Sequence, residues 1–146
     1  MQIATSRFGL VDIETDDILC FPTGIAGFEE TQHWVLLADA DNDAVAWLQS
    51  VQEEAIALAV VSPRRFVAEY QVRVARSQLA GLELSSVEDA HVLAILARHE
   101  GQLTLNLKAP LVVNLDARLG RQVITSDEQP LRLELAGTNL SPRKIA

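Results

Sequence analysis

Leu103-Thr104-Leu105-Asn106-Leu107-Lys108-Ala109-Pro110 is the stretch on which the fold turns. Leucine at every second position is the period of a β-strand; a helix would spread the same leucines around its axis. The alternation places the three leucines inside and sets Thr104, Asn106 and Lys108 together as a polar stripe outside. Pro110 has no backbone N–H to give a ladder, so this end is expected at a sheet edge, a bulge or a turn. An open edge there would admit a partner strand by augmentation.

Outward from this strand the same grammar continues. Short apolar runs separated by Gly, Pro, Asn or Asp predict strands at Gly9–Ile13, Asp17–Phe21, Trp34–Ala38, Val45–Gln49, Ile56–Val61, Tyr70–Val74, His91–Arg98, Leu103–Lys108, Leu111–Asn114, Arg121–Thr125 and Leu131–Leu135. Tyr70, Val72 and Val74 share one face and Gln71 and Arg73 the other, as in a half-buried strand. Ile56–Val61 and Val92–Ala97 are apolar without alternation, which suits a strand buried on both faces or a buried helix turn. One short helix is expected at Arg76–Leu82, with Ser77 as cap and Gly81 as its end. Ser85–His99 admits a rival helix reading, capped by Ser85 with Glu88 three residues on. The fold class is mainly β: a small β-barrel-like single domain over residues 1–138 with at most one or two short helices, followed by a flexible, basic-tinged tail at 139–146.

Composition narrows the function. A chain of 146 residues, 49% of them apolar, can bury a single-domain core. Its net charge of -8 opposes direct nucleic-acid binding, which takes clustered Lys and Arg, and favours a basic protein partner. Cys20 is the lone cysteine, so neither an internal disulfide nor a cysteine-built zinc site is expected. Without a basic and apolar leader or a membrane-length apolar run, the expected location is the cytoplasm, with no membrane partner and a monomer when alone.

The chemistry-bearing patterns argue against an enzyme. Asp39, Asp41 and Asp43 open like a calcium loop, but Ala44 stands where the sharp turn needs Gly and Ser50 where the bidentate Glu belongs. His33, His91 and His99 are scattered, and Cys20 in an apolar strand reads as a core residue. Paired acids such as Asp16-Asp17 and Glu29-Glu30 read as hydrated surface, and no phosphate cradle, serine elbow or zinc helix motif accompanies them. No catalytic residue, cofactor or metal is expected. A hydrolase using surface carboxylates and a barrel carrying a small apolar ligand are the competing classes.

A second informative stretch is Phe21-Pro22-Thr23-Gly24-Ile25-Ala26-Gly27-Phe28-Glu29. A strand ends at Pro22, and two glycines that tolerate positive φ or close backbone approach flank one apolar residue, so the loop should have a defined shape. The candidate partner-binding surface is Thr104, Asn106, Lys108 and Pro110 joined by Gly24, Ile25 and Gly27. Asn106 has a structural alternative, satisfying backbone groups at the break before Pro110.

At these segments the chain resembles the flagellar assembly factor FliW family. The resemblance also takes in Trp47-Leu48-Gln49-Ser50, Ser62-Pro63 with Tyr70 after it, Asn106-Leu107-Lys108-Ala109-Pro110-Leu111-Val112-Val113-Asn114 and Gly120-Arg121-Gln122-Val123-Ile124, in family order. Arg132-Leu133-Glu134-Leu135 lacks the aromatic residue that members often carry nearby. What the resemblance implies is a β-barrel-like fold, no enzymatic activity and two alternative partners, flagellin and the RNA-binding translational regulator CsrA. In that scheme flagellin captures the factor, and the CsrA so released represses flagellin mRNA.

Overall fold

The computed structural model describes residues 1–135. The expected domain end at 138 and the tail at 139–146 lie outside the described residues. Among the described residues ten strands run in the order β1 (Gln2–Thr5), β2 (Gly9–Asp12), β3 (Ile18–Cys20), β4 (His33–Ala38), β5 (Val45–Ser50), β6 (Ala57–Val61), β7 (Ala90–His99), β8 (Gln102–Asn114), β9 (Leu119–Gln122) and β10 (Leu133–Glu134). Strands β3 to β8 pair antiparallel in sequence order. β9 then closes the ring by pairing antiparallel with β8 and, through Cys20 and Leu119, parallel with β3. Seven strands thus form a closed barrel, with β10 added beside the first half of β8. β1 and β2 form a separate hairpin, turned by Thr5, whose hydroxyl donates to the Gly9 carbonyl and accepts from the Phe8 N–H.

The non-alternating runs are strands with apolar groups on both faces. In β7, Leu93 and Ile95 join a cluster with Leu19, Phe21, Trp34, Leu48 and Val60, while Ala94 and Leu96 join Trp47, Val61, Leu105 and Leu107. That overturns the helix reading of Ser85–His99: ladder pairing on both sides of β7 and burial of both faces outweigh the helical spacing. A cap does exist there, but it is Ser86 with Asp89, and it opens a single 3-10 turn at Val87–Asp89.

Four further expectations are corrected. Tyr70–Val74 keeps its alternation, with Val72 and Val74 half-buried between exposed neighbours, yet it joins no sheet. Its backbone is held by single contacts instead: Arg64 Nε donates to the Tyr70 carbonyl, and the Ser126 N–H and hydroxyl both donate to that of Arg73. The short helix α1 spans only Arg76–Leu79 and passes into a 3-10 turn over Ala80–Leu82. Its N-cap is Ala75, not Ser77, and the left-handed residue that ends the segment is Glu83, not Gly81. The last expected strand shrinks to Leu133–Glu134, and Leu103–Lys108 and Leu111–Asn114 merge into β8, interrupted near Pro110.

Polar anchors complete the frame. Asp39 receives the Trp47 indole N–H at 2.9 Å and the backbone N–H groups of Asp41 and Asn42. Burial works to raise its pKa, but these hydrogen bonds and the nearby Arg7 prevail and hold it below the ordinary carboxylate value. The would-be calcium loop is therefore a turn fastened to a core tryptophan. No helix among the described residues is long and apolar enough to cross a membrane.

Candidate functional site

The Phe21–Glu29 loop takes its shape from the burial of Phe21 and Ile25 and from its two positive-φ glycines. Phe21 and Ile25 are fully buried, whereas Pro22, Thr23, Ala26 and Gly27 are exposed. Gly24 turns back with φ of 71°, its N–H bonded to the Phe21 carbonyl, and a Cβ there would lie 2.6 Å from the Glu29 backbone. Gly27 has φ of 88°, and its N–H is received by the Glu29 carboxylate at 2.6 Å. Ile25 is thus a packing residue; the surface that this loop can offer belongs to its neighbours.

The second segment is a bulge. β7 and β8 pair Leu93 with Leu111 and Ile95 with Asn106, so one residue of β7 stands opposite four of β8. Those four, Leu107 to Pro110, find every backbone partner outside β7. The Leu107 and Lys108 N–H groups donate to the Pro130 carbonyl, and that of Ala109 to Asn106 Oδ1 at 2.9 Å. The four carbonyls accept in turn from the Tyr70 hydroxyl at 2.6 Å, the Thr125 N–H, the Gln122 side-chain amide at 3.0 Å and the Val123 N–H. With Pro110 lacking a donor, the backbone account of the bulge is complete.

That accounting changes the roles expected of the polar stripe. Thr104 is 3% exposed, lying in β8 between Ala97, whose carbonyl its hydroxyl approaches at 3.4 Å, and Glu134 of β10. It is no surface residue, because β10 covers the flank that the strand pattern alone leaves open. Asn106 takes the structural alternative, closing the bulge through Ala109. Lys108 is half-buried, with its ammonium donating to the carbonyls of Thr125 and Asp127 at 2.8 and 2.9 Å. Pro110 is buried. Nor does β8 have an open edge for augmentation: β7 lines one flank, and β10 and β9 cover parts of the other.

Two residues outside the candidate set meet these segments. Gln122 accepts the Ala26 N–H at 2.8 Å and donates to the Ala109 carbonyl at 3.0 Å, linking loop to bulge. Gly120 lies under the Phe21 ring so closely that a Cβ would come within 2.3 Å of it. The sequence holds both in one short motif, but nothing in that motif's pattern says which distant segments they meet. Tyr70, read as a strand residue, is the bulge's buried hydroxyl donor. Burial, aided by the negative charge of Asp127, pushes its pKa up from 10.0 to about 12.

Among the described residues no group of three or more His, Cys, Asp or Glu is placed to hold a metal ion. The geometry is that of a loop and a bulge whose backbone groups are satisfied from within the chain. Known proteins agree with the architecture. A model of the family described as FliW protein matches residues 2–135. The chain is 35% identical over 147 residues to Flagellar assembly factor FliW of Bdellovibrio bacteriovorus, covering 99% of this chain and 84% of that one. It is 32% identical over 127 residues to Flagellar assembly factor FliW of Natranaerobius thermophilus, covering 85% and 84% of the two chains. A crystal structure of the flagellar assembly factor FliW superposes with a TM-score of 0.85 at 32% identity, over 92% of this chain and 96% of the other.

Proposed function

The chain belongs to the FliW family, and from that premise we propose that it is a non-enzymatic flagellar assembly factor acting in the cytoplasm through two alternative protein partners. One partner is flagellin and the other the translational regulator CsrA. Held by this protein, CsrA leaves flagellin mRNA free for translation; flagellin awaiting export captures the protein, and the released CsrA then represses that mRNA. The observation that carries the proposal is agreement with flagellar assembly factors, in sequence and in fold, over most of both chains.

The physical reading is compatible with this role. A chain of net charge -8 suits a regulator whose own surface must be basic to hold RNA. Both faces of the barrel sheet are occupied by the protein's own apolar side chains, which weakens the rival reading of a ligand held in the barrel interior. Flagellin and CsrA from the same organism, titrated separately by calorimetry and then CsrA into the preformed flagellin complex, test the switch. The expected result is binding to each, with flagellin blocking CsrA. Binding to neither would refute the proposal.

A further inference from the structure

We propose that the groove between the unpaired segment Tyr70–Val74 and the first half of β7 is a strand-accepting slot, which holds an extended, largely uncharged segment of flagellin by main-chain pairing. This rests on the partner switch proposed above and gives one of its two partners a place on the fold.

The slot follows from where β6 ends. β6 pairs with β7 only from Ala94 to Leu96, and after Val61 the chain turns away through a 3-10 turn at Pro63–Arg65. Ala90–Leu93 is left with β8 on one flank alone. In an antiparallel ladder alternate residues turn their N–H and C=O groups to the opposite flank, so this stretch presents about 13 Å of open edge at roughly 3.3 Å per residue. Across the groove, the backbone groups of Gln71, Val72 and Val74 make no hydrogen bond among the described residues. Two extended stretches with unused main-chain groups thus face one space of about 740 Å³, lined by apolar side chains that include Val72, Val74, Leu79 and Val92. An open edge beside apolar side chains is what an added strand needs: the edge supplies hydrogen bonds and the side chains supply burial.

Charge selects the occupant. Residues 1–60, which form the hairpin and β3 to most of β6, hold eleven acidic residues and a single basic one, Arg7; residues 61–135, which supply every residue lining the groove, hold nine of each. A basic regulator is therefore drawn to the other side of the barrel. The groove itself carries Arg64 and Glu88, one of each sign, and gives a basic surface no preference. What fits it is a chain with unpaired main-chain groups and apolar side chains at alternate positions. Flagellin awaiting export has yet to make the contacts of its assembly, and a segment left unpaired for that reason can order on binding. β6 borders both regions, so a protein seated in the groove also crowds the acidic side, in keeping with mutually exclusive binding.

Calorimetric titration with flagellin and with CsrA compares the intact protein with Gln71→Trp and Val87→Arg, both at exposed residues lining the groove, and with Leu10→Arg, at an exposed apolar residue on the hairpin. Thermal unfolding checks that each variant folds, and amide hydrogen exchange is followed with and without flagellin. The two groove variants are expected to weaken flagellin about tenfold or more and to leave CsrA unchanged, while Leu10→Arg leaves flagellin unchanged. Exchange at Val72, Val74 and Ala90–Leu93 is expected to slow about tenfold or more in the flagellin complex. Flagellin binding undiminished in both groove variants, a complex without protection along the β7 edge, or a loss that falls on CsrA instead would overturn the slot and leave the partner switch standing. Failure of the intact protein to bind flagellin would refute both.

Discussion

Tyr70 is the sole tyrosine of the chain, so its ionisation can be followed without interference. Burial and the charge of Asp127 raise its pKa from 10.0 to about 12, because the phenolate would lose hydration and sit near another negative charge. The expected spectroscopic titration shows phenolate absorbance near pH 12 in the folded protein and near pH 10 in denaturant. The sign for stability follows from the raised folded value. The contribution is whole below pH 10 and drains away between pH 10 and about 12. Tyr70→Phe removes the donor to the Leu107 carbonyl and strands that acceptor in the interior. Chemical denaturation should record a loss of about 1–3 kcal/mol. Asn106→Leu should cost about 1–2 kcal/mol on the same measurement, by stranding the Ala109 N–H; equal stability would mean that the bulge relaxes to find another partner.

At the scale of elements, β9 and the loop after β3 are mutually dependent, because the Phe21 ring lies on Gly120. Gly120→Ala should destabilise by about 1–3 kcal/mol as the ring is driven from its place, with near-ultraviolet dichroism changing in parallel; an unaltered melting temperature would show that the ring moves freely. The strands most legible in the sequence were those with plain boundaries, such as Trp34–Ala38, found as His33–Ala38, and Val45–Gln49, found as Val45–Ser50. The bulge hid in arithmetic. Leu103, Leu105, Leu107, Leu111 and Val113 are all an even number of residues apart, so a regular strand would keep them on one face. In the structure the first three join one apolar cluster and the last two the other, because the residues between them are looped out. Tyr70–Val74 failed the other way: alternation specifies which side chains face inward, but carries no information about whether a partner strand is there to pair. The same gap explains the candidate site. The two segments were visible as motifs, whereas the burial of Thr104 and the tie through Gln122 depend on β10 and β9, brought in from far along the chain.

For the whole molecule the decisive quantity is charge. With 20 acidic against 12 basic residues, the protein approaches any basic partner down a favourable gradient, and clusters such as Asp16-Asp17 and Glu29-Glu30 lie exposed. Such a field acts on encounter more than on the final contact, so its signature is kinetic. Rising salt should slow association with CsrA steeply while changing dissociation little, since the Debye length is only about 8 Å at physiological ionic strength. Asp16→Asn with Glu30→Gln removes two exposed charges while sparing Asp17, which accepts the Glu14 N–H, and Glu29, which holds Gly27. Stopped-flow association with CsrA should fall by about two- to tenfold at low salt and converge with the unaltered protein at high salt. The same field bears on RNA. Docked on a regulator, an acidic protein raises the cost of bringing phosphates nearby even where it leaves the RNA site uncovered, so the double variant should also displace RNA from CsrA less effectively. If RNA displacement is unchanged after neutralising all the acids of the docked face, the antagonism proposed here is steric or conformational, and the net charge serves only to speed the meeting.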